Sequence, residues 1–110
     1  MVWEYFRSWR ELARELTVRA SIAERHGNPI KASKLLSLIE KVREFDKRYF
    51  GELKRCLGYV LYRFYDDRMR TEHYRVEAIV LYEDGPYPEV NFIDVDWWLK
   101  EQEATAHPAM

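Results

Sequence analysis

Five carboxylates, Asp66, Asp67, Glu77, Asp94 and Asp96, come nearest in type and spacing to a reaction centre. Metal-dependent nucleases gather such groups on strands, where their oxygens hold divalent ions that activate water. Asp94 and Asp96 alternate, so on an extended chain they share a face, and Glu77 can oppose them from a neighbouring strand. The lysine that many such sites place two residues after a strand carboxylate is missing. Glu77 is followed by Ala78 and Ile79, and Asp96 by Trp97 and Trp98. An acidic strand edge that discourages pairing with other chains explains Asp94 and Asp96 without any metal. A metal-dependent nuclease therefore stands as the last of three functional readings.

Other chemistry has less to build on. His26, His73 and His107 are scattered, and Cys56 is alone, whereas structural zinc wants four such ligands at close spacing. A single cysteine also excludes an internal disulfide and suits a reducing compartment. As a nucleophile Cys56 requires a histidine base and a lowered pKa; a small buried thiol is its commoner role. Arg68 and His73, with four residues between them, resemble the motif of helical HEPN ribonucleases. That motif sits on a helix, and here the flanks read as turn and strand, so the family is not carried over. The four glycines (27, 51, 58 and 85) are punctuation rather than a phosphate loop. No cofactor motif is present.

Basic residues offer the alternative of nucleic-acid binding. Arg7, Arg10 and Arg14 line the polar side of one expected helix, and Lys34, Lys41 and Arg48 recur every seven residues on the next. Such a stripe can follow a phosphate backbone. Glu11, Glu15, Glu40 and Glu44 interleave with it, which also fits a solvated helix face with i,i+4 pairs. Charge divides along the chain. Residues 1–55 hold thirteen Lys/Arg against eight Asp/Glu, and residues 56–110 hold five against eleven.

The elements that must position these groups follow from apolar periodicity. Val2, Phe6, Trp9, Ala13, Leu16, Ala20 and Ala23 recur at three and four, predicting a helix from about Trp3 to Arg25. His26-Gly27-Asn28-Pro29 ends it, with Gly27 suited to the C′ position, Asn28 to the next cap and Pro29 to the next first turn. Leu35, Leu38, Val42, Phe45 and Tyr49 lay a stripe on a second helix, so residues 1–50 are expected to form an antiparallel αα-hairpin. Residues 52–66 fit either periodicity. Their Val, Tyr and Phe density favours a strand from about Leu57 to Tyr65.

The stretch His73–Glu83, HYRVEAIVLYE, alternates as a central strand with one wholly apolar face. Glu89 to Trp97 reads as a third strand, Asp96 as the cap of a short helix through Leu99, and residues 101–110 as a flexible tail. The expected fold is α+β in a single domain, the helical hairpin packed on a three-stranded antiparallel meander spanning residues 57–97.

One hairpin covers one face of such a sheet. The sets Val60/Tyr62/Phe64, Val76/Ala78/Val80 and Ile93/Val95/Trp97 are expected beneath the helices. Tyr59, Leu61, Tyr65, Ile79, Leu81, Val90 and Phe92 are then left on the second face as interface candidates. An apolar centre with a charged rim is how association surfaces look. The leading reading is a non-catalytic protein–protein interaction module, self-associating as a homodimer or bound to a protein partner. No apolar run approaches a membrane span, and the charged N-terminus MVWEYFRSWRE is no signal peptide, so a cytosolic location is expected. Two Asn and one Gln beside 37 charged side chains (18 basic, 19 acidic) resemble a thermophile's composition.

Overall fold

The computed structural model describes residues 1–106. Its elements run β1 (Val2–Phe6), α1 (Trp9–Arg25), α2 (Pro29–Tyr49), β2 (Lys54–Asp66), β3 (Thr71–Tyr82), β4 (Glu89–Asp94) and α3 (Val95–Ala106). The class is α+β as expected, but the sheet has four antiparallel strands in the order β1-β2-β3-β4 rather than three. Among the described residues, no helix is long and apolar enough to cross a membrane.

The extra strand is the N-terminus, expected to be helical. Val2 and Phe6 fit a helical stripe, yet VWEYF is also dense in β-formers and alternates. The outcome turns on Ser8. Its hydroxyl accepts from the Glu11 amide at 3.2 Å, and the Glu11 carboxylate reaches back to accept from the Arg7 amide at 3.1 Å. This reciprocal cap starts α1 at Trp9 and leaves residues 2–6 free to extend. They pair with β2, from Val2 opposite Arg63 to Phe6 opposite Tyr59.

The hairpin of α1 and α2 forms at the expected turn. Asn28 caps α2 by accepting from the Lys31 amide at 3.1 Å, Pro29 opens the helix, and Gly27 takes φ 72°. Leu12, Leu16, Ala20 and Ala23 of α1 meet Ala32, Leu35, Val42, Phe45 and Tyr49 of α2, all buried. The β3 residues Val76, Ala78 and Val80 close the core from the sheet side.

The other corrections lie at β2 and at the end of β4. Tyr59 stands opposite Ala78 and Leu61 opposite Val76, so Tyr59 and Leu61 face the helices and are buried. Val60, Tyr62 and Phe64 take the opposite face, the reverse of the expected grouping. Both alternations of β2 are apolar, so pairing register decides between them. A bulge between Cys56 and Gly58 then shifts that register once more. Downstream, the strand stops at Asp94 rather than Trp97, because Asp94 Oδ1 accepts from the Trp97 amide at 2.9 Å and caps α3. Asp96, expected as that cap, sits instead in the helix's first turn, and Val95 is buried as a helical residue. Residues 101–106, expected in a tail, continue α3; residues 107–110 lie outside the described residues.

Candidate interaction surface

All three helices lie against one face of the sheet, α1 near β1 and β2, α3 near β3 and β4, with α2 packed between them. Among the described residues, the other face has no cover. Its residues fall into cross-strand rows fixed by register. Trp3, Tyr62 and Arg75 form one row; Tyr5, Val60, Glu77 and Asp94 the next; then Gly58, Ile79 and Phe92; then Arg55, Leu81 and Val90. Phe64 and His73 extend it at one end, their rings stacked at 5.4 Å.

Five large apolar side chains here are open to solvent: Trp3 at 65%, Val90 and Phe92 at 54%, Tyr5 at 49% and Phe64 at 37%. Ile79 and Leu81 are half-buried between them. Val60 is buried without belonging to the core cluster, since its cross-strand partners are Tyr5 and Glu77 on the same open face. Charges edge this apolar centre. Arg75 stacks over the Tyr62 ring at 4.7 Å and lies 3.9 Å from Asp94. Interaction with the Glu77 carboxylate raises the Tyr62 hydroxyl above its ordinary pKa. Arg55 pairs with Glu83 at 3.2 Å.

The surface is held in shape where β1 crosses the β2 bulge. Tyr5 lays its ring over Gly58 and donates its hydroxyl to the Leu57 carbonyl at 2.6 Å. Gly58 has φ 141°, and a Cβ there would stand 2.5 Å from Tyr5 Cε2 and 2.6 Å from the Phe6 carbonyl oxygen. Only glycine satisfies both the dihedral and the space.

Of the seven residues expected on this face, Ile79, Leu81, Val90 and Phe92 lie on it. Tyr59 and Leu61 do not, being core residues; Tyr59 donates to Asp46 at 2.7 Å, and burial followed by that bond pushes its hydroxyl well above the ordinary range. Tyr65 is exposed at the far end of β2, lining a cleft beside α2. Sequence reasoning missed Trp3 and Tyr5 because it placed them in a helix. The Ser8-x-x-Glu11 capping pattern was the signal that separates them from it.

The basic residues do not form a free stripe. Arg7 lies outside the helix and pairs with Glu11 at 2.9 Å, Lys41 with Asp96 at 3.0 Å, and Arg48 with Glu44 at 3.7 Å while stacking over Trp98. Arg10 lies over the Trp9 ring, Arg14 is exposed, and Lys34 donates to Thr71 and to the Glu72 carbonyl.

The chemistry-bearing residues are similarly committed. Asp94 caps α3, Asp96 is held by Lys41 and by Lys100 at 2.9 Å, and Asp66 accepts from the turn amides of Arg68 and Met69. No group of three or more His, Cys, Asp or Glu among the described residues is placed to hold a metal ion. Burial raises the Cys56 thiol pKa, the reverse of an activated nucleophile. His26 caps the end of α1, His73 lies 3.8 Å from Asp66, and His107 is outside the described residues. No family model matches this chain, and no curated protein or solved structure matches it.

Proposed function

We propose that this protein is a non-catalytic interaction module that self-associates through the uncovered face of its sheet, in a reducing compartment such as the cytosol. The observation that carries this reading is the gathering of Trp3, Tyr5, Phe64, Val90 and Phe92 on one face, each exposed. With 150–250 Å² for each aromatic, the apolar area left open is on the order of 600 Å². That lies at the upper end of the roughly 300–600 Å² that the largest patch of a monomer spans, a size that is often functional, and about three quarters of the roughly 800 Å² per partner of a standard interface.

Charge selects a second copy over a nucleic acid. Two arginines, Arg55 and Arg75, stand on or beside the face against Glu77, Glu83 and Asp94, which gives no net positive field to follow phosphates. Arg75 and the Glu77/Asp94 pair occupy adjoining rows. A two-fold axis through the face brings the basic row of one copy over the acidic row of the other.

Light scattering on the purified chain tests this. The expected mass is twice 13.4 kDa. Leu81→Arg should return a monomer with an unchanged circular dichroism spectrum, since Leu81 lies outside the core cluster. A chain that stays monomeric at tens of micromolar and binds no hydrophobic dye overturns the proposal.

A further inference from the structure

Away from the uncovered face, a cleft of about 590 Å³ opens between the first turns of α2 and the far end of β2 and β3. Three cations line it, Lys31, Lys34 and Arg70, against one carboxylate, Glu72. Glu72 is engaged, 3.1 Å from Lys31 Nζ and accepting from the Tyr74 hydroxyl at 2.8 Å. Lys34 is held differently. Its half-buried ammonium donates to Thr71 Oγ1 at 2.9 Å and to the Glu72 carbonyl at 3.2 Å, both neutral acceptors. It makes no ion pair among the described residues, and an ammonium has three protons to donate, so one donor and the whole charge remain for a ligand.

Arg70 likewise makes no ion pair among the described residues, and the first turn of α2 contains no acidic side chain. Three positive charges less one negative leave a surplus of two, which matches a phosphate monoester at about −1.5 to −2 better than a carboxylate. The remaining wall is apolar: Ile30, Tyr65 and Met69 are all exposed along it. A bare inorganic anion makes no use of such a wall. A flat ring does, lying on the Tyr65 face.

We propose that this cleft binds a small phosphate monoester carrying a flat ring, of which a mononucleotide is the simplest. The phosphate sits on Lys34 with Arg70 and Lys31, and the ring sits against Tyr65 and Met69. The volume falls inside the 300–1,000 Å³ typical of small-molecule sites.

Calorimetric titration of the full chain with adenosine monophosphate, inorganic phosphate and adenosine provides the test. The monophosphate should bind at least about tenfold more tightly than either fragment, since charged and stacking contacts each contribute that order. Lys34→Met should weaken it by roughly tenfold or more, measured at a temperature where circular dichroism shows the variant still folded, since it also loses the bonds to Thr71 and Glu72. Tyr65→Ala should weaken the monophosphate and leave inorganic phosphate unchanged. Should Lys34→Met fail to fold, Arg70→Asn carries the same expectation, because asparagine accepts the φ of 50° found there. Leu81→Arg should leave binding unchanged, which separates this site from self-association. No binding at millimolar ligand, a monophosphate no tighter than phosphate alone, or indifference to both cation variants overturns the proposal.

Discussion

Replacing Gly58 with alanine tests how the uncovered face is built. Two costs follow from the geometry. At φ 141° a side chain occupies a backbone region that only glycine uses freely, a strain of about 1–3 kcal/mol. The new methyl also meets the Tyr5 ring at 2.5 Å and the Phe6 carbonyl at 2.6 Å. The ring can swing aside, but the carbonyl belongs to β1 itself, so the strand must retreat; overpacking of this kind costs about 1–3 kcal/mol. The usual gain from a stiffer unfolded chain offsets only about 0.4–1 kcal/mol. The net expectation is a loss of roughly 1–5 kcal/mol, a sizeable share of a stability near 5–15 kcal/mol.

Urea unfolding of wild type, Gly58→Ala, Tyr5→Ala and the double variant measures it. Removing the Tyr5 ring relieves one clash and leaves the carbonyl clash and the dihedral strain. The Gly58→Ala cost should therefore shrink in the Tyr5→Ala background without vanishing. Hydrogen exchange should show the amides of residues 2–6 losing protection before those of β3. A Gly58→Ala variant within about 0.5 kcal/mol of wild type refutes the account of the bulge.

Two further outcomes rest on the helical layer. Leu16, fully buried between the hairpin and the sheet, should cost on the order of 2–5 kcal/mol when cut to alanine; a melting temperature within a degree or two of wild type would show that the core is misassigned. Glu4 is held below its ordinary 4.5 by its hydrogen bond to Arg19, against the opposing pull of burial. A lowered folded-state value means its contribution is complete above pH 4.5 and fades as pH falls through the folded value. Glu4→Gln should thus be less stable than wild type at neutral pH and converge with it in acid; a gap that persists unchanged into acid argues that the ion pair is not its source.

The parts of the fold legible in the sequence were those where one physical signal stood unopposed. His26-Gly27-Asn28-Pro29 supplies a stop, a cap and a first-turn proline together, and the hairpin forms there. The stretch around Val76, Ala78 and Val80 alternates cleanly and is buried as read. Where two signals competed, the reading failed. Residues 2–6 satisfy both periodicities, and the local cap at Ser8 outweighed the longer stripe. In β2 both faces are apolar, so which one turns inward depends on pairing partners and a bulge, neither of which is local. That single parity moved Tyr59 and Leu61 into the core and brought Tyr62 and Phe64 out. Asp94 and Asp96 are both good caps two residues apart, and only the tertiary path of β4 chooses between them.

The pairing of β1 with β2 also orders events during synthesis. Phe6 leaves the ribosome more than fifty residues before its partner Tyr59. In the interval α1 and α2 can close on each other through contacts near in sequence, while the Val-Trp-Glu-Tyr-Phe segment waits unpaired and apolar. When β2 emerges it has two edges to fill, one by the hairpin return of β3 and one by this waiting strand. Until β1 docks, the five residues of β2 that it will pair, Tyr59 to Arg63, present an open edge able to recruit a neighbouring nascent chain. A bulky fusion ahead of Val2 that delays the docking should therefore lower the yield of folded protein more than the same fusion placed after α3.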